Sequence, residues 1–149
     1  MPRRKPQLIV ADDDRTIRRL LTLQAKGIGF EVVTAEDGNQ AISSITQNTS
    51  VVVLDLKMPG MSGFDCLEVI AKEFPSIPAV VLTAADGAAE AVKAMKLGAF
   101  DYLTKPFDPE ELQAALLKAK RYGEANRENE ELREELGGAR LQVTMIGES

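Results

Sequence analysis

The sequence predicts an α/β fold with a doubly wound, five-stranded parallel sheet. Three observations support this prediction. Short apolar segments and amphipathic helical segments alternate five times along the chain, with short connections between them. The apolar segment 51–54 (VVVL) contains three β-branched residues and no polar alternation, which is typical of a strand buried on both faces. Acidic residues directly follow the first and third apolar segments, at the strand ends where open α/β sheets bind their ligands.

The strands are predicted from the apolar segments themselves. We expect them at 7–11, 30–34, 51–55, 79–83 and 100–103. Pro75 and Pro78 bracket the turn into the fourth strand, because proline cannot continue a helix. Since the chain returns to the sheet after each helix, all five strands are expected to run parallel.

The helices are predicted from apolar spacing and from capping residues. The first helix follows the first strand and is expected to end at Gly27. The second begins at Asp37, a good N-cap, and is expected to reach Ile45. The third covers about 63–72, and the fourth ends at Gly98. The fifth begins after Asp108, where an N-cap acid precedes a proline at the first helical position.

Composition and charge exclude several function classes. The net charge of −5 argues against nucleic-acid binding by this chain, and no apolar segment approaches the ~20 residues that span a bilayer. The single cysteine, Cys66, cannot form an internal disulfide, so we expect a cytoplasmic protein. The sequence contains no histidine, which excludes a Ser-His-Asp triad and the usual zinc sites.

The composition changes after about residue 120. Residues 121–138 are charged and strongly helix-forming. A heptad spacing runs through this part of the chain at Ala125, Asn129, Leu132, Leu136 and Ala139. A dimerising coiled coil and a solvated helix both fit this segment. Residues 141–149 turn apolar again and resemble the start of another domain. We therefore expect three parts: 1–122, 123–140 and 141–149.

Polar residues at the strand ends predict a phosphoryl-transfer site. Asp12 and Asp13 follow the first strand, Asp55 ends the third, Thr83 ends the fourth and Lys105 follows the fifth. Carboxylates ~4 Å apart repel by roughly 4 kcal/mol per pair at an effective dielectric constant of 20, so a cation is needed among them. Hard oxygen ligands in an open site suit Mg²⁺. We expect Asp55 to be the nucleophile and Lys105 to neutralise the transferred group.

The segments LIVADDD, VVVLDLKMPGMSG, AVVLTA and FDYLTKPF resemble the receiver domain of two-component response regulators, from residue 7 to about 122. The resemblance implies the flavodoxin-like fold of that family and phosphorylation of Asp55 by a partner histidine kinase. It also implies that Mg²⁺ is held by Asp13, Asp55 and the backbone carbonyl of Lys57, with Asp12 acting nearby through water. The protein is then not an enzyme beyond self-phosphorylation from a phosphodonor and slow autodephosphorylation.

The same resemblance implies a conformational switch. Thr83 and Tyr102 are expected to form the switch pair, and Lys105, followed by a cis bond to Pro106, is expected to bind the phosphoryl group. A simple core role for Tyr102 remains the alternative.

By analogy with receivers, Lys57 and Ala85 are expected to flank the path of water towards phosphorylated Asp55. Neither is an amide or an acid that could orient that water. The Lys57 side chain is expected either to cover the phosphoryl group or to point into solvent.

The segment after the receiver is similar to activators with a central AAA+ ATPase domain, which act on polymerase carrying sigma factor N (the NtrC type). This similarity implies an output domain of the same chain as a partner. Together with the heptad spacing, it leads us to expect a homodimer.

Two other functions compete with this interpretation. Residues 12–16 match the D-x-D-x-T signature of haloacid-dehalogenase-type phosphatases, with Asp12 as nucleophile and Asp14 as general acid. That interpretation leaves Asp55 and the loop after it unexplained. A receiver that serves only for docking is the other alternative, although no member of the acid, threonine and lysine set is missing.

Overall fold

The computed structural model describes residues 5–126 and residue 128, and it has the expected α/β architecture. Five parallel strands form one sheet in the order β2-β1-β3-β4-β5. The elements are β1 (Gln7–Ala11), α1 (Arg15–Gly27), β2 (Glu31–Ala35), α2 (Gly38–Ser43), β3 (Thr49–Asp55), α3 (Gly63–Glu73), β4 (Ala79–Ala84), α4 (Ala88–Lys96) and β5 (Asp101–Lys105). A fifth helix, α5, covers 109–126. The prediction of a doubly wound, five-stranded parallel sheet is confirmed.

Alternate strand residues enter two separate apolar layers. Val52 and Leu54 of β3 pack in one layer, and Val51 and Val53 pack in the other. The first layer includes residues from α2, α3 and α4, among them Ala41, Leu67 and Ala94. The second layer includes residues from α1 and α5, among them Leu21, Leu112 and Leu116. All seven residues of β3 are buried, so this strand is a fixed support for the acid at its end.

The strand order places a crevice beside β1 and β3. The chain leaves β1 for β2 on one side and then crosses to β3 on the other, so the direction of winding reverses between β1 and β3. At such a reversal the helices diverge to opposite faces, which opens a space at the carboxyl ends of the strands. Asp12 and Asp55 lie at these two strand ends.

Three helix ends follow the sequence signals. The Asp37 side chain accepts a hydrogen bond of 2.8 Å from the Gln40 N–H at the start of α2. Asp108 accepts one of 2.9 Å from the Glu110 N–H at the start of α5. Gly98 follows α4 with φ of +111°, a conformation that glycine adopts readily.

Helix α1 ends at Gly27, as predicted, and the turn that follows it contains Gly29 with φ of +99°. Two other local predictions were wrong. Ile45 lies beyond α2, since the Ser43 and Ser44 hydroxyls donate to carbonyls one turn back and compete for the groups that would continue the helix. Lys105 is the last residue of β5 and does not follow it, because the pairing of β4 with β5 continues to Ala84 and Lys105.

The expected boundary at 122 falls within α5. Gly123 is buried in this helix, where a side chain would meet Pro78 and the carbonyl of Ser50. Most of the heptad positions and the whole segment 141–149 lie outside the described residues, so the coiled coil and the further domain stay predictions. Among the described helices, none is long and apolar enough to cross a membrane.

Candidate functional site

Three carboxylates meet at the carboxyl edge of the sheet. Asp12 follows β1 and is fully buried, while Asp13 is exposed. Asp55 is the last residue of β3 and is only 7% exposed. One carboxylate oxygen from each lies within 4.8 Å of the others. The three acids therefore form a cluster that can hold a metal ion through oxygen ligands.

Lys105 brings a positive charge to this cluster from the end of β5. Its Nζ lies 2.9 Å from Asp12 Oδ2 and 3.3 Å from Asp55 Oδ2. Burial acts to lower the pKa of Lys105, but its hydrogen bond to Asp12 and the charges of both acids outweigh burial, so the pKa is raised. Lys105 is thus a permanent cation at neutral pH, and the peptide bond between it and Pro106 is cis, as predicted.

Ionisation of Asp55 is unfavourable in the folded protein. Burial, and then the negative charge of Asp12, raise the pKa of Asp55 to about 6. The Lys57 backbone N–H, which donates to Asp55 Oδ1 at 3.2 Å, and the Lys105 ammonium act in the opposite direction without cancelling the rise. Three acids facing one ammonium leave excess negative charge, which fits a divalent cation.

The loop after Asp55 packs tightly against this acid. At Gly63, the first residue of α3, an added Cβ would collide with the Asp55 carbonyl and with the backbone of Leu56. Only glycine allows the helix to begin so close to the strand end. Gly63, the last residue of the PGMSG sequence, is therefore required for the close packing of α3 against the strand end that carries Asp55.

Hydrogen bonds of the β1–α1 loop fix the role of Asp14. The Asp14 N–H donates to Asp12 Oδ1 at 2.9 Å. The Asp14 carboxylate in turn accepts from the N–H groups of Thr16 and Ile17 and caps α1. Its oxygen is committed to the helix, which does not suit the general acid of the phosphatase interpretation.

Thr83 lies in β4 near the acid cluster and is buried. Its side-chain hydroxyl is the only one in the described part of the chain that is buried without a hydrogen-bond partner. An unpaired buried hydroxyl costs about 1–3 kcal/mol. The Thr83 Oγ1 is therefore a donor that a bound ligand would satisfy.

Tyr102 is 44% exposed and lies opposite Val81 in the pairing of β4 with β5. The alternative that it is a core aromatic is wrong. It lines an open groove of about 420 Å³ with Val92 and Met95 of α4, both of which are also exposed.

The Lys57 side chain does not enter the acid cluster. It is 72% exposed, and its Nζ lies 3.8 Å from Glu90 Oε1 in α4. Ala85 is also exposed. The Lys57 side chain thus extends largely into solvent, as one of the two expectations has it, and its charged contact is with Glu90. That it covers a phosphoryl group on Asp55 stays a prediction.

One contact at the site escaped the sequence patterns. Arg18 Nη1 donates to the backbone carbonyl of Asp12 at 2.7 Å, and Nη2 lies 3.6 Å from Glu36 Oε1. Arg18 follows the N-cap Asp14 by four positions, and helical side chains lean towards the N-terminus, so the spacing placed Arg18 near the acidic loop. Arg18 and Arg19 are adjacent in the sequence, and only the structure shows that Arg18 is the one that reaches the Asp12 carbonyl.

Comparison with known proteins identifies the family. Residues 8–117 match the response regulator receiver domain family, and the chain belongs to this family. It is 40% identical over 115 residues to the probable transcriptional regulator ycf27 of Galdieria sulphuraria, covering 76% of this chain and 45% of that protein. It is also 40% identical over 111 residues to the DNA-binding transcriptional regulator NtrC of Klebsiella pneumoniae, covering 74% of this chain and 24% of that protein.

Solved structures show the same fold. The receiver domain of NtrX from Brucella abortus is similar with a TM-score of 0.73 and 30% identity, covering 76% of this chain and 98% of that one. A receiver domain protein from Clostridium thermocellum gives a TM-score of 0.75 and 32% identity, covering 80% and 97%. The chain spans less than half the length of the two curated relatives above.

Proposed function

We propose that this chain is a phosphoacceptor in which Asp55 receives a phosphoryl group from a partner sensor histidine kinase. The observation that carries the proposal is the meeting of buried Asp55 with Asp12, Asp13 and the Lys105 ammonium at one crevice. Since the chain contains no histidine, the phosphohistidine belongs to the partner.

The transfer uses few groups. A carboxylate oxygen of Asp55 attacks the phosphorus, and the bond between phosphorus and the kinase imidazole breaks, with its electron pair returning to the ring nitrogen. An acyl phosphate on Asp55 is the product. The Lys105 ammonium, already 3.3 Å from Asp55, donates to the phosphoryl oxygens and offsets their charge.

A divalent cation belongs to the same proposal. Asp12, Asp13 and Asp55, with the backbone carbonyl of Lys57, would hold Mg²⁺, and the excess of carboxylates over ammonium supports this fit. When bound, Mg²⁺ supplies positive charge to the acids and to the phosphoryl oxygens. The protein is otherwise not an enzyme, beyond self-phosphorylation and slow loss of the phosphoryl group.

Phosphorylation is proposed to switch the face formed by α4, β5 and α5. The unpaired Thr83 hydroxyl donates to a phosphoryl oxygen, which draws β4 inward and makes room for Tyr102 to turn from the surface. Thr83 and Tyr102 then act as a switch pair between the site and this face.

The output is proposed to be transcriptional. Both curated relatives are named as transcriptional regulators, and each extends well beyond the matched region. We propose an attached output domain of the NtrC type, with an AAA+ ATPase that acts on sigma factor N polymerase. The similarity to NtrC and the character of residues 141–149 support this choice. Homodimerisation through 123–140 and a cytoplasmic location, which suits the free Cys66, are parts of the same proposal.

The phosphatase alternative has less support. It requires Asp14 as a general acid, yet Asp14 caps α1. It also leaves the raised pKa of Asp55 without a function.

Labelling with acetyl phosphate and Mg²⁺ tests the proposal. One phosphoryl group should be added per chain, measured by intact mass, and it should be released by hydroxylamine. Asp55→Asn should abolish labelling, whereas Asp12→Asn should only weaken it. Labelling that survives Asp55→Asn but disappears in Asp12→Asn would establish the phosphatase mechanism instead.

A further inference from the structure

Arg18 connects two loops at the edge of the acid cluster. Its side chain is only 14% exposed although it lies on the first turns of a surface helix. One side of the guanidinium donates to the Asp12 carbonyl at 2.7 Å, and the other lies 3.6 Å from Glu36, just beyond the end of β2. We infer that Arg18 is a positioning residue that orients Asp13 for cation binding, an inference that rests on the proposed function.

The reason lies in how little else holds Asp13. The Asp12 carboxylate is fixed from two directions, by the Asp14 N–H and by Lys105. Within the described residues, by contrast, no hydrogen bond or ion pair holds the exposed carboxylate of Asp13. Its direction therefore depends on the backbone that carries it.

The bond from Arg18 acts on that backbone. The Asp12 carbonyl belongs to the planar peptide unit that ends at the Asp13 Cα, so fixing this oxygen fixes the plane from which the Asp13 side chain projects. The peptide unit on the other side of Asp13 is also held, because its N–H, that of Asp14, donates to Asp12 Oδ1 at 2.9 Å. With both flanking peptide units restrained, the Asp13 carboxylate is directed towards Asp12 and Asp55.

Arginine suits this task better than lysine. Its rigid, planar fork presents several donors, so one guanidinium reaches the Asp12 carbonyl and faces Glu36 together. The negative Glu36 also offsets a positive charge that would otherwise weaken cation binding. The Glu36 N–H itself donates to Gln40 Oε1 at 2.9 Å, which restrains the backbone of the residue that Arg18 faces.

A role of Arg18 through its charge and a role through positioning Asp13 predict opposite effects on Mg²⁺ affinity when Arg18 is replaced. If only its charge mattered, an uncharged side chain would reduce repulsion and tighten Mg²⁺ binding. If Arg18 positions Asp13, the same change weakens binding. Arg19, the next residue, is exposed and serves as a matched control, because Arg19→Met makes the same charge change without touching the loop.

Titration of the unphosphorylated protein with Mg²⁺, followed by amide NMR shifts and calorimetry, tests this inference. Arg18→Met should weaken Mg²⁺ binding by about tenfold or more, in the range seen when groups that orient metal ligands are removed. Arg19→Met should bind as the wild type does or slightly more tightly. Arg18→Lys, which reaches only one of the two acceptors, should fall between Arg18→Met and the wild type.

Unfolding by urea in EDTA separates positioning from general damage. If the inference is right, Arg18→Met lowers Mg²⁺ affinity by more than the loss in the free energy of unfolding accounts for. The amide shifts that change are then concentrated at 12–14. Unchanged or tighter binding in folded Arg18→Met overturns it. Should Arg18→Met fail to fold, wild-type affinity in Arg18→Lys overturns it equally. A wild-type protein that binds no Mg²⁺ would overturn the proposed function, and the inference with it.

Discussion

Asp55 and Asp12 lie together at the buried ends of neighbouring strands, where burial and the charge of Asp12 both oppose the ionisation of Asp55. Burial and the charge of Asp12 raise the pKa of Asp55 from its ordinary value of 3.8 to about 6, although the Lys105 ammonium is 3.3 Å away. A carboxyl group whose pKa is higher in the folded state stabilises the fold fully below pH 3.8 and loses this contribution as pH rises through about 6. At pH 7 the ionised Asp55 therefore lowers the free energy of unfolding of the metal-free protein.

The first prediction concerns this effect of ionised Asp55 on the free energy of unfolding. Asp55→Asn should raise the free energy of unfolding in EDTA at pH 7.5 by about 1–3 kcal/mol, because it removes the unfavourable charge. The gain should shrink as pH falls from 6 to below 4, where Asp55 is already neutral. Urea unfolding at a series of pH values measures both.

Asp65→Asn is a suitable control, since Asp65 is exposed on α3 and its removal should bring no such gain. Mg²⁺ should stabilise the wild type more than Asp55→Asn. An equal gain at pH 4 and pH 8 would mean that ionisation of Asp55 is not its source.

A second prediction concerns Lys105. Lys105→Met should destabilise the metal-free protein by about 3 kcal/mol, because the fully buried Asp12 loses its ion pair. The same variant should bind Mg²⁺ about tenfold more tightly, since a competing cation has been removed. Phosphorylation by acetyl phosphate should nevertheless become slower, because no ammonium offsets the phosphoryl charge.

Lys118→Met, on the exposed surface of α5, controls for the loss of a lysine elsewhere. Calorimetry gives the Mg²⁺ affinity, and intact mass gives the phosphorylation rate. Weaker Mg²⁺ binding in Lys105→Met would show that Lys105 helps to hold the cation and does not compete with it.

The third prediction concerns the Thr83 hydroxyl. Thr83→Ala should be phosphorylated to nearly the wild-type extent, because the Thr83 hydroxyl makes no hydrogen bond that orients Asp55. Amide shifts of α4 and β5 around Tyr102 should no longer respond to phosphorylation, since the hydroxyl that links the site to this face is gone.

Thr83→Ser is the matched variant, because it keeps the hydroxyl and loses only the methyl group. It should respond as the wild type does in amide NMR spectra recorded with acetyl phosphate and Mg²⁺. A full response in Thr83→Ala would exclude the relay through this side chain.

The sequence predicts those features that depend on neighbouring residues. The buried strand β3, the acids at the ends of β1 and β3 and the N-cap Asp37 each have a local signal, and each lies where it was expected. The strand order also agrees with the fold implied by the family motifs. Helix α1 ends at Gly27, as its local signal predicts, whereas α2 ends at Ser43, because serine hydroxyls there donate to carbonyls one turn back.

Contacts between distant elements could not be predicted in this way. Lys57 lies in the loop after β3 and Glu90 in α4, so the packing of α4 decides that their charges meet. The contact between Arg18 and the Asp12 carbonyl similarly depends on how α1 lies against β1. Periodicity places a side chain on a face of its own helix, but it does not specify the atom that the side chain reaches on a neighbouring element.

The last prediction concerns the lifetime of the phosphorylated state. The Lys57 ammonium lies near Glu90, but this exposed contact at 3.8 Å is weak, on the order of 0–1 kcal/mol. A phosphoryl group on Asp55 carries more negative charge than Glu90, so we expect it to attract the Lys57 ammonium and be shielded from in-line attack by water. Lys57→Asn with Ala85→Glu should therefore speed dephosphorylation several-fold, equivalent to about 1 kcal/mol in the barrier.

Glu90→Gln should have the opposite effect, because it frees Lys57 to cover the phosphoryl group. The decay of the phosphoprotein after removal of acetyl phosphate, followed by intact mass, measures both rates. Lys72→Asn, on the exposed surface of α3, should leave the rate unchanged. If the double variant decays no faster than the wild type, Lys57 and Ala85 do not control the access of water. If Glu90→Gln also fails to slow the decay, Glu90 does not compete for Lys57.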